Sequence, residues 1–188
     1  MNRKIGGRAA REPDLGSRLA LDWQANRGNL KGRVVVPLFR VAQAVARSKA
    51  TDRKRYLVGV PYLIVYRLLV EWTLGIELPP GTDVGPGLAI QHGQGLVVNT
   101  KTIIGSNAML RNGVTIGNRL LADGSETACP VIGSDVEFGA NAVVVGAITI
   151  GDGARIGAGA VVTKSVPAGG VARGNPALII PPLEPAIQ

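Results

Sequence analysis

One histidine, His92, occurs among the 188 residues. It is the only side chain whose ordinary pKa, about 6.5, suits proton transfer at neutral pH. An alcohol is a weak nucleophile until its proton is withdrawn. A base of this kind therefore fits transfer of an acyl group from a thioester to a hydroxyl. A lone histidine is more often a surface or structural residue, so its chemistry depends on what surrounds it. Here the surroundings read Ala89-Ile90-Gln91-His92-Gly93-Gln94-Gly95-Leu96. The one cysteine, Cys129, has no second histidine to activate it as a nucleophile, and alone it makes no intramolecular disulfide.

The elements that must hold His92 show themselves as a repeat. Ile132, Phe138, Val144, Ile150, Ile156 and Val162 each open a six-residue unit, and Gly133, Gly139, Gly151 and Gly157 follow four of them. Ile104 and Leu110 open two more. Four residues into the units stand Ala108, Val114, Val136, Ala142, Ala154, Ala160 and Val166, with Ile148 the one larger occupant. Upstream, Leu78, Val84, Ile90 and Leu96 keep the spacing, with a two-residue slip before Ile104 and a loop at Asn118 to Pro130.

Six residues make one short strand and a turn, and three such units close a triangular coil with its large aliphatics inside. Coils then stack at about 4.8 Å. The spacing predicts a prism over Leu78 to Pro167; an ordinary β-sandwich would show strands every 8–12 residues instead. His92, two positions after the inward Ile90, should stand near a corner and reach outward, with Gly93 and Gly95 leaving space beside it.

Composition agrees with a thin, repetitive core. Hydrophobic residues make up 46%, aromatics only 4%, and there are 26 glycines. The net charge of +8 favours anionic partners. The basic residues are spread and lack an aromatic platform, which argues against nucleic acid. Met1 to Gly16 lacks the apolar core of a signal peptide, so the expected location is cytoplasmic. Tyr56 to Val70 contains Pro61 and Arg67 and is too short for a bilayer span, so it reads as a buried helix.

The first third has helical spacing over Asp22 to Arg47 and Arg53 to Gly75. Between them, Arg47, Lys49, Arg53, Lys54 and Arg55 form either a solvated connection or a surface for anionic lipid. Three parts follow: a helical region at 1–75 with a flexible basic start, the repeat domain at 76–167, and a tail at 168–188.

The repeat units, with His92-Gly93-Gln94-Gly95-Leu96-Val97-Val98-Asn99 and Val114-Thr115-Ile116-Gly117-Asn118, resemble the serine acetyltransferase family of hexapeptide-repeat enzymes from about Glu77 to Ile179. Within that family they are most similar to the acetyltransferases of colanic-acid type exopolysaccharide synthesis. The resemblance implies a left-handed parallel β-helix, acetyl-CoA as donor, no metal, and a homotrimer with sites between neighbouring prisms.

It also implies roles for particular residues. His92 is the general base and Glu77 a carboxylate one coil below it. Gly117 and Asn118 stabilise the oxyanion, and Gly139-Ala140 and Gly157-Ala158 admit the pantetheine arm. Lys164 and Arg173 either meet the CoA phosphates or are solvated surface charges.

Two departures matter. Gln91 stands where the family usually has a carboxylate that orients the base. Ala128-Cys129-Pro130 stands where serine acetyltransferases carry Arg-His before proline to grip the serine carboxylate. Losing that charge-assisted grip forfeits about 1.5–3 kcal/mol for a free amino acid. The expected acceptor is therefore a hydroxyl of a sugar or exopolysaccharide intermediate. A serine O-acetyltransferase is the alternative, weakened because the chain ends Pro185-Ala186-Ile187-Gln188 without the C-terminal Ile of such enzymes. A zinc-binding relative of carbonic anhydrase type would need three histidines.

Overall fold

The computed structural model describes residues 13–182. The expectations for Met1 to Gly16 and for Pro185 to Gln188 fall largely or wholly outside that range. Three helices come first: α1 (Leu15–Ala25), α2 (Leu30–Ser48) and α3 (Arg53–Tyr66). Each starts on a side-chain cap: Asp14 accepts from the Ser17 amide, Asn29 from Gly32 and Asp52 from Arg55. The segment expected to be helical from Asp22 is split at Asn26–Asn29, where Gly28 takes φ +80°. α3 runs on into a π-helical segment, Arg67–Thr73.

The expectation that Tyr56 to Val70 is buried needs correction. Of its apolar side chains only Tyr66 and Val70 are fully buried, packed on the prism, and several others are exposed.

From Ile76 the chain winds into short strands. Two coils and the first strand of a third precede the loop: β1 (Ile76–Glu77), β2 (Asp83–Val84), β3 (Ala89–Gln91), β4 (Leu96–Val98), β5 (Ile103–Ile104), β6 (Met109–Arg111) and β7 (Thr115–Gly117). After a loop follow β8 (Val131–Ile132), β9 (Glu137–Phe138), β10 (Val143–Val145), β11 (Thr149–Ile150), β12 (Arg155–Ile156) and β13 (Val161–Val162). β14 (Val171–Arg173) and β15 (Leu178–Ile180) end the described chain.

Every third strand pairs in parallel. The first sheet is β1-β4-β7-β10-β13, the second β2-β5-β8-β11, and the third β3-β6-β9-β12-β14 with β15 added antiparallel. The unit-opening residues Ile132, Phe138, Val144, Ile150, Ile156 and Val162 are at most 3% exposed and line the axis. The prism runs past Pro167, because β14 adds another rung to the third sheet.

Strand register relocates the slip in the repeat. Ile90 pairs with Leu110, 20 residues on, whereas Val98 pairs with Ile116, 18 residues on. Gln91 faces Arg111 and Val97 faces Thr115, so the corner between them holds two residues more than the corner above. The extra pair lies around His92-Gly93 and not before Ile104. Leu96 is thus the counterpart of Val114, and Val98 opens the unit.

β3 is the free edge of the third sheet. The Ala89 amide points up the stack to the Ala108 carbonyl (2.9 Å). The Leu88 and Ile90 amides point the other way, where there is no coil. Asp22 accepts from Leu88 (2.8 Å) and Asn26 from Ile90 (3.1 Å), while Asn26 donates to the Leu88 carbonyl (2.8 Å) and Asn29 to that of Ile90. Arg40 forks onto Asp22 (2.7 and 3.2 Å) and also donates to the Val84 carbonyl (2.8 Å), with both side chains of the pair fully buried. The helices therefore complete the edge with side chains in place of a strand.

Candidate active site

His92 owes its position to the two-residue insertion. A regular corner turns once, through a single left-handed residue such as Asn141 or Gly159, whereas here His92 (φ +65°), Gly93 (+60°) and Gly95 (+73°) all lie in that region. Histidine is among the non-glycine residues that tolerate it. Two tight bonds close the bulge, from the Gly93 amide to the Gln91 carbonyl and from Gln94 to His92 (both 2.8 Å).

The bulge turns the imidazole out to solvent and presses Gly93 inward. A Cβ on Gly93 would meet Ile90 Cγ2 at 2.7 Å and Ile76 Cδ1 at 2.9 Å. The expectation that Gly93 makes room beside the histidine is thus corrected: it makes room for the core. Gly95 is favoured by its backbone at φ +73°, since an added Cβ would meet Gly113 Cα only at an ordinary 3.6 Å.

His92 lines an open cleft of about 490 Å³ with Asn29, Lys31, Gln94 and Asn112. Asn29 and Lys31 come from the start of α2, far in sequence from His92 and not among the residues nominated for the site. Asn29 is both the α2 cap and the donor to the Ile90 carbonyl, two residues before His92. Neither role follows from reading Asp22 to Arg47 as one helix, within which Asn29 is an ordinary polar position. Lys31 is half-buried and forms no ion pair among the described residues.

Above His92, the corner carries Ala140, Ala158 and Arg173. The Asn141 amide bonds the Asn112 carbonyl and the Gly159 amide bonds that of Ala140 (both 2.9 Å), so these residues stack. Gly157 sits under Arg173, where an added Cβ would lie 3.4 Å from the arginine Cβ. Gly139 is needed for coil packing in its own right: a Cβ there would lie 2.4 Å from the Ala158 nitrogen. The result is an edge of small side chains running from the histidine to an exposed cation.

Glu77, Gly117 and Asn118 come together elsewhere. They line a second cleft, of about 390 Å³, with Val97, Asn99 and Thr115 on the first sheet, and Asn99 donates to the Asn118 side chain (3.0 Å). Register places Lys164 two coils above Asn118 on that same edge. The nominated residues thus fall into two groups flanking the first sheet, and within one chain Glu77 makes no hydrogen bond to His92. Cys129 is buried. Among the described residues no three His, Cys, Asp or Glu side chains converge as a metal site would require.

Glu77 has an acidic neighbour. Burial pushes the Glu71 carboxyl above its ordinary range, Arg67 (3.4 Å) pulls it down, and Glu77 raises it further. A carboxyl with a raised folded-state pKa holds its proton more tightly in the folded chain, so its contribution to stability is lost as pH rises through that value. Glu71→Gln should therefore flatten the fall in unfolding free energy, measured by urea titration, as pH rises from 4.5 to 7.5, by no more than about 1 kcal/mol at this partly exposed position.

Comparisons with known proteins agree with this architecture. The bacterial transferase hexapeptide family (six repeats) matches residues 129–164. A protein of Escherichia coli (strain K12), provisionally named as the colanic acid biosynthesis acetyltransferase WcaB, is 35% identical over 129 residues, covering 69% of this chain and 78% of its own. Soybean serine acetyltransferase superposes with a TM-score of 0.73 at 29% identity, covering 90% of this chain and 70% of its own. Serine acetyltransferase of Neisseria gonorrhoeae, in complex with serine, gives 0.67 at 26% identity, covering 88% and 69%. With these likenesses the coil is a left-handed parallel β-helix. The chain belongs to the hexapeptide-repeat acetyltransferases, and it is an acyl-CoA-dependent O-acetyltransferase.

Proposed function

We propose that the chain transfers the acetyl group of acetyl-CoA to a hydroxyl of a sugar or exopolysaccharide intermediate, with His92 as general base. The observation that carries this is the inserted corner, which presents an exposed imidazole at the foot of an edge of small residues. The name of the WcaB relative supports the acceptor class, as does Ala128-Cys129-Pro130, which supplies no cation for an amino-acid carboxylate.

In this reading His92 takes the proton from the acceptor hydroxyl as its oxygen attacks the thioester carbonyl. The C–S bond of the tetrahedral intermediate then breaks, and the thiolate leaves with the proton that the imidazolium returns. The products are the acetyl ester and free CoA. Ala140 and Ala158, with the backbone at Gly139 and Gly157, let the pantetheine arm lie along the edge, and Arg173 meets its phosphates.

Backbone N–H groups at Gly117-Asn118 would stabilise the oxyanion. They and Lys164 lie on the opposite edge of the first sheet from His92, which suits a homotrimer in which one prism's edge meets its neighbour's. Glu77 would then serve the acceptor or the base across that junction. A cytoplasmic enzyme whose N-terminal helices touch the inner face of the membrane would meet lipid-linked acceptors there.

The test is thiol release from acetyl-CoA with L-serine and, separately, with nucleotide sugars and oligosaccharides. Turnover with the sugars alone is expected. Comparable turnover with serine would overturn the acceptor assignment.

A further inference from the structure

Leu57, Val58, Ile64, Val65, Leu68 and Trp72 are all exposed, Val58 at 83% and Trp72 at 79%. They recur at helical spacing along α3 and the π-helical segment, on the side opposite Tyr66 and Val70, which pack on the prism. Exposed apolar residues on a soluble surface are usually scattered; a continuous stripe of this length marks a docking face. Among the described residues no helix is long and apolar enough to cross a membrane.

Charge identifies what covers the stripe. Arg53, Lys54 and Arg55 fill the first turn of α3, are exposed, and form no ion pair among the described residues. A helix N-terminus is its positive end, and three cations there, against the single Asp52 carboxylate that caps it, leave a net positive turn that favours an external anion. A second copy of the helix offers little: the one carboxylate in α3 and the π-helical segment is Glu71, already paired with Arg67. An anionic bilayer surface supplies phosphates for the basic turn, an apolar layer for the stripe, and an interfacial position for Trp72.

We propose that α3 and the π-helical segment lie in the interfacial layer of an anionic membrane, stripe inward. This deepens the membrane-facing part of the proposed function and rests on it for the place of work. The transfer chemistry does not depend on it.

The test uses the full chain with Trp23→Phe, so that Trp72 alone reports, and vesicles of phosphatidylcholine with or without phosphatidylglycerol. Trp72 emission should shift to the blue, and the protein should sediment with the anionic vesicles only. Neutralising Arg53, Lys54 and Arg55 together to glutamine should weaken partitioning on the order of 100-fold. Val58→Asp, at a site too exposed to affect folding, should abolish the blue shift, and both variants should keep wild-type turnover with soluble acceptors.

No adsorption by the wild-type chain, or equal adsorption to neutral vesicles, would overturn the proposal. So would stripe variants that change only the chain's self-association in sedimentation, which would identify a second copy as the cover. Failure of the acceptor panel alone would instead sink the proposed substrate and leave this surface standing.

Discussion

His92→Ala is expected to lower kcat for acetyl transfer by about 10²–10⁴-fold, the usual worth of a positioned general base, with little change in KM for acetyl-CoA. The separation follows from geometry. The imidazole lines its cleft with Asn29, Lys31, Gln94 and Asn112, and the small-residue edge proposed for the donor lies in the coils above. Alanine also loses some of histidine's tolerance of the left-handed region at φ +65°, so a structural loss must be told apart from a chemical one. His92→Asn does this, because asparagine adopts that backbone readily. Both variants should be inactive, while the asparagine chain melts with the wild type. Activity surviving in His92→Asn would sink the assignment of the base.

Arg40→Met should destabilise the fold by about 3–5 kcal/mol, because it strands the Asp22 carboxylate in a site with no solvent access. A chain of this size would lose very roughly 6–20 °C in Tm. Arg40→Lys should recover only part, since an ammonium cannot replace the fork that reaches both carboxylate oxygens and the Val84 carbonyl. The double variant Asp22→Leu/Arg40→Met removes the stranded charge and should be more stable than Arg40→Met alone, although it leaves the Leu88 amide unpaired. Equal stability of the single variant and the wild type would show that the helices do not depend on this latch. Urea denaturation of the four proteins decides between these outcomes.

The repeat was legible because its rule is local. A residue such as Phe138 or Ile156 points inward whatever the distant chain does, and six-residue spacing can be counted directly. The insertion was visible only as a broken count. Leu96 continues the spacing from Ile90 by coincidence, so counting forward moves the slip to the next mismatch, before Ile104. The register of β4 against β7, a contact between coils, is what places it at His92-Gly93. The outward position of His92 at a corner was therefore legible, while the reason that corner is unusual was hidden.

What the sequence hid more completely are contacts across the fold. Asp22, Asn26, Asn29 and Arg40 read as ordinary polar positions of amphipathic helices, yet all four bond the backbone of β3 or the turn before it. Nothing in their spacing announces partners 45 to 66 residues away. The stripe on α3 misled for a related reason: hydrophobicity signals a wish to leave water, and the partner that satisfies it need not belong to the same chain.

A structure whose every layer repeats the one below has no internal instruction to stop. Its length is set by terminators: β15, reversed in direction at one end, and a set of side chains in place of a rung at the other. The second terminator is the more exposed to mutation, because it consists of a few polar groups and no continuous backbone. Were it lost, the bare rung would become a growing point, and molecules would add end to end as monomers add to a fibre. The histidine corner adjoins that rung, so each joining event would cover the cleft that His92 lines. In this molecule the groups that stop the stack also keep that cleft open.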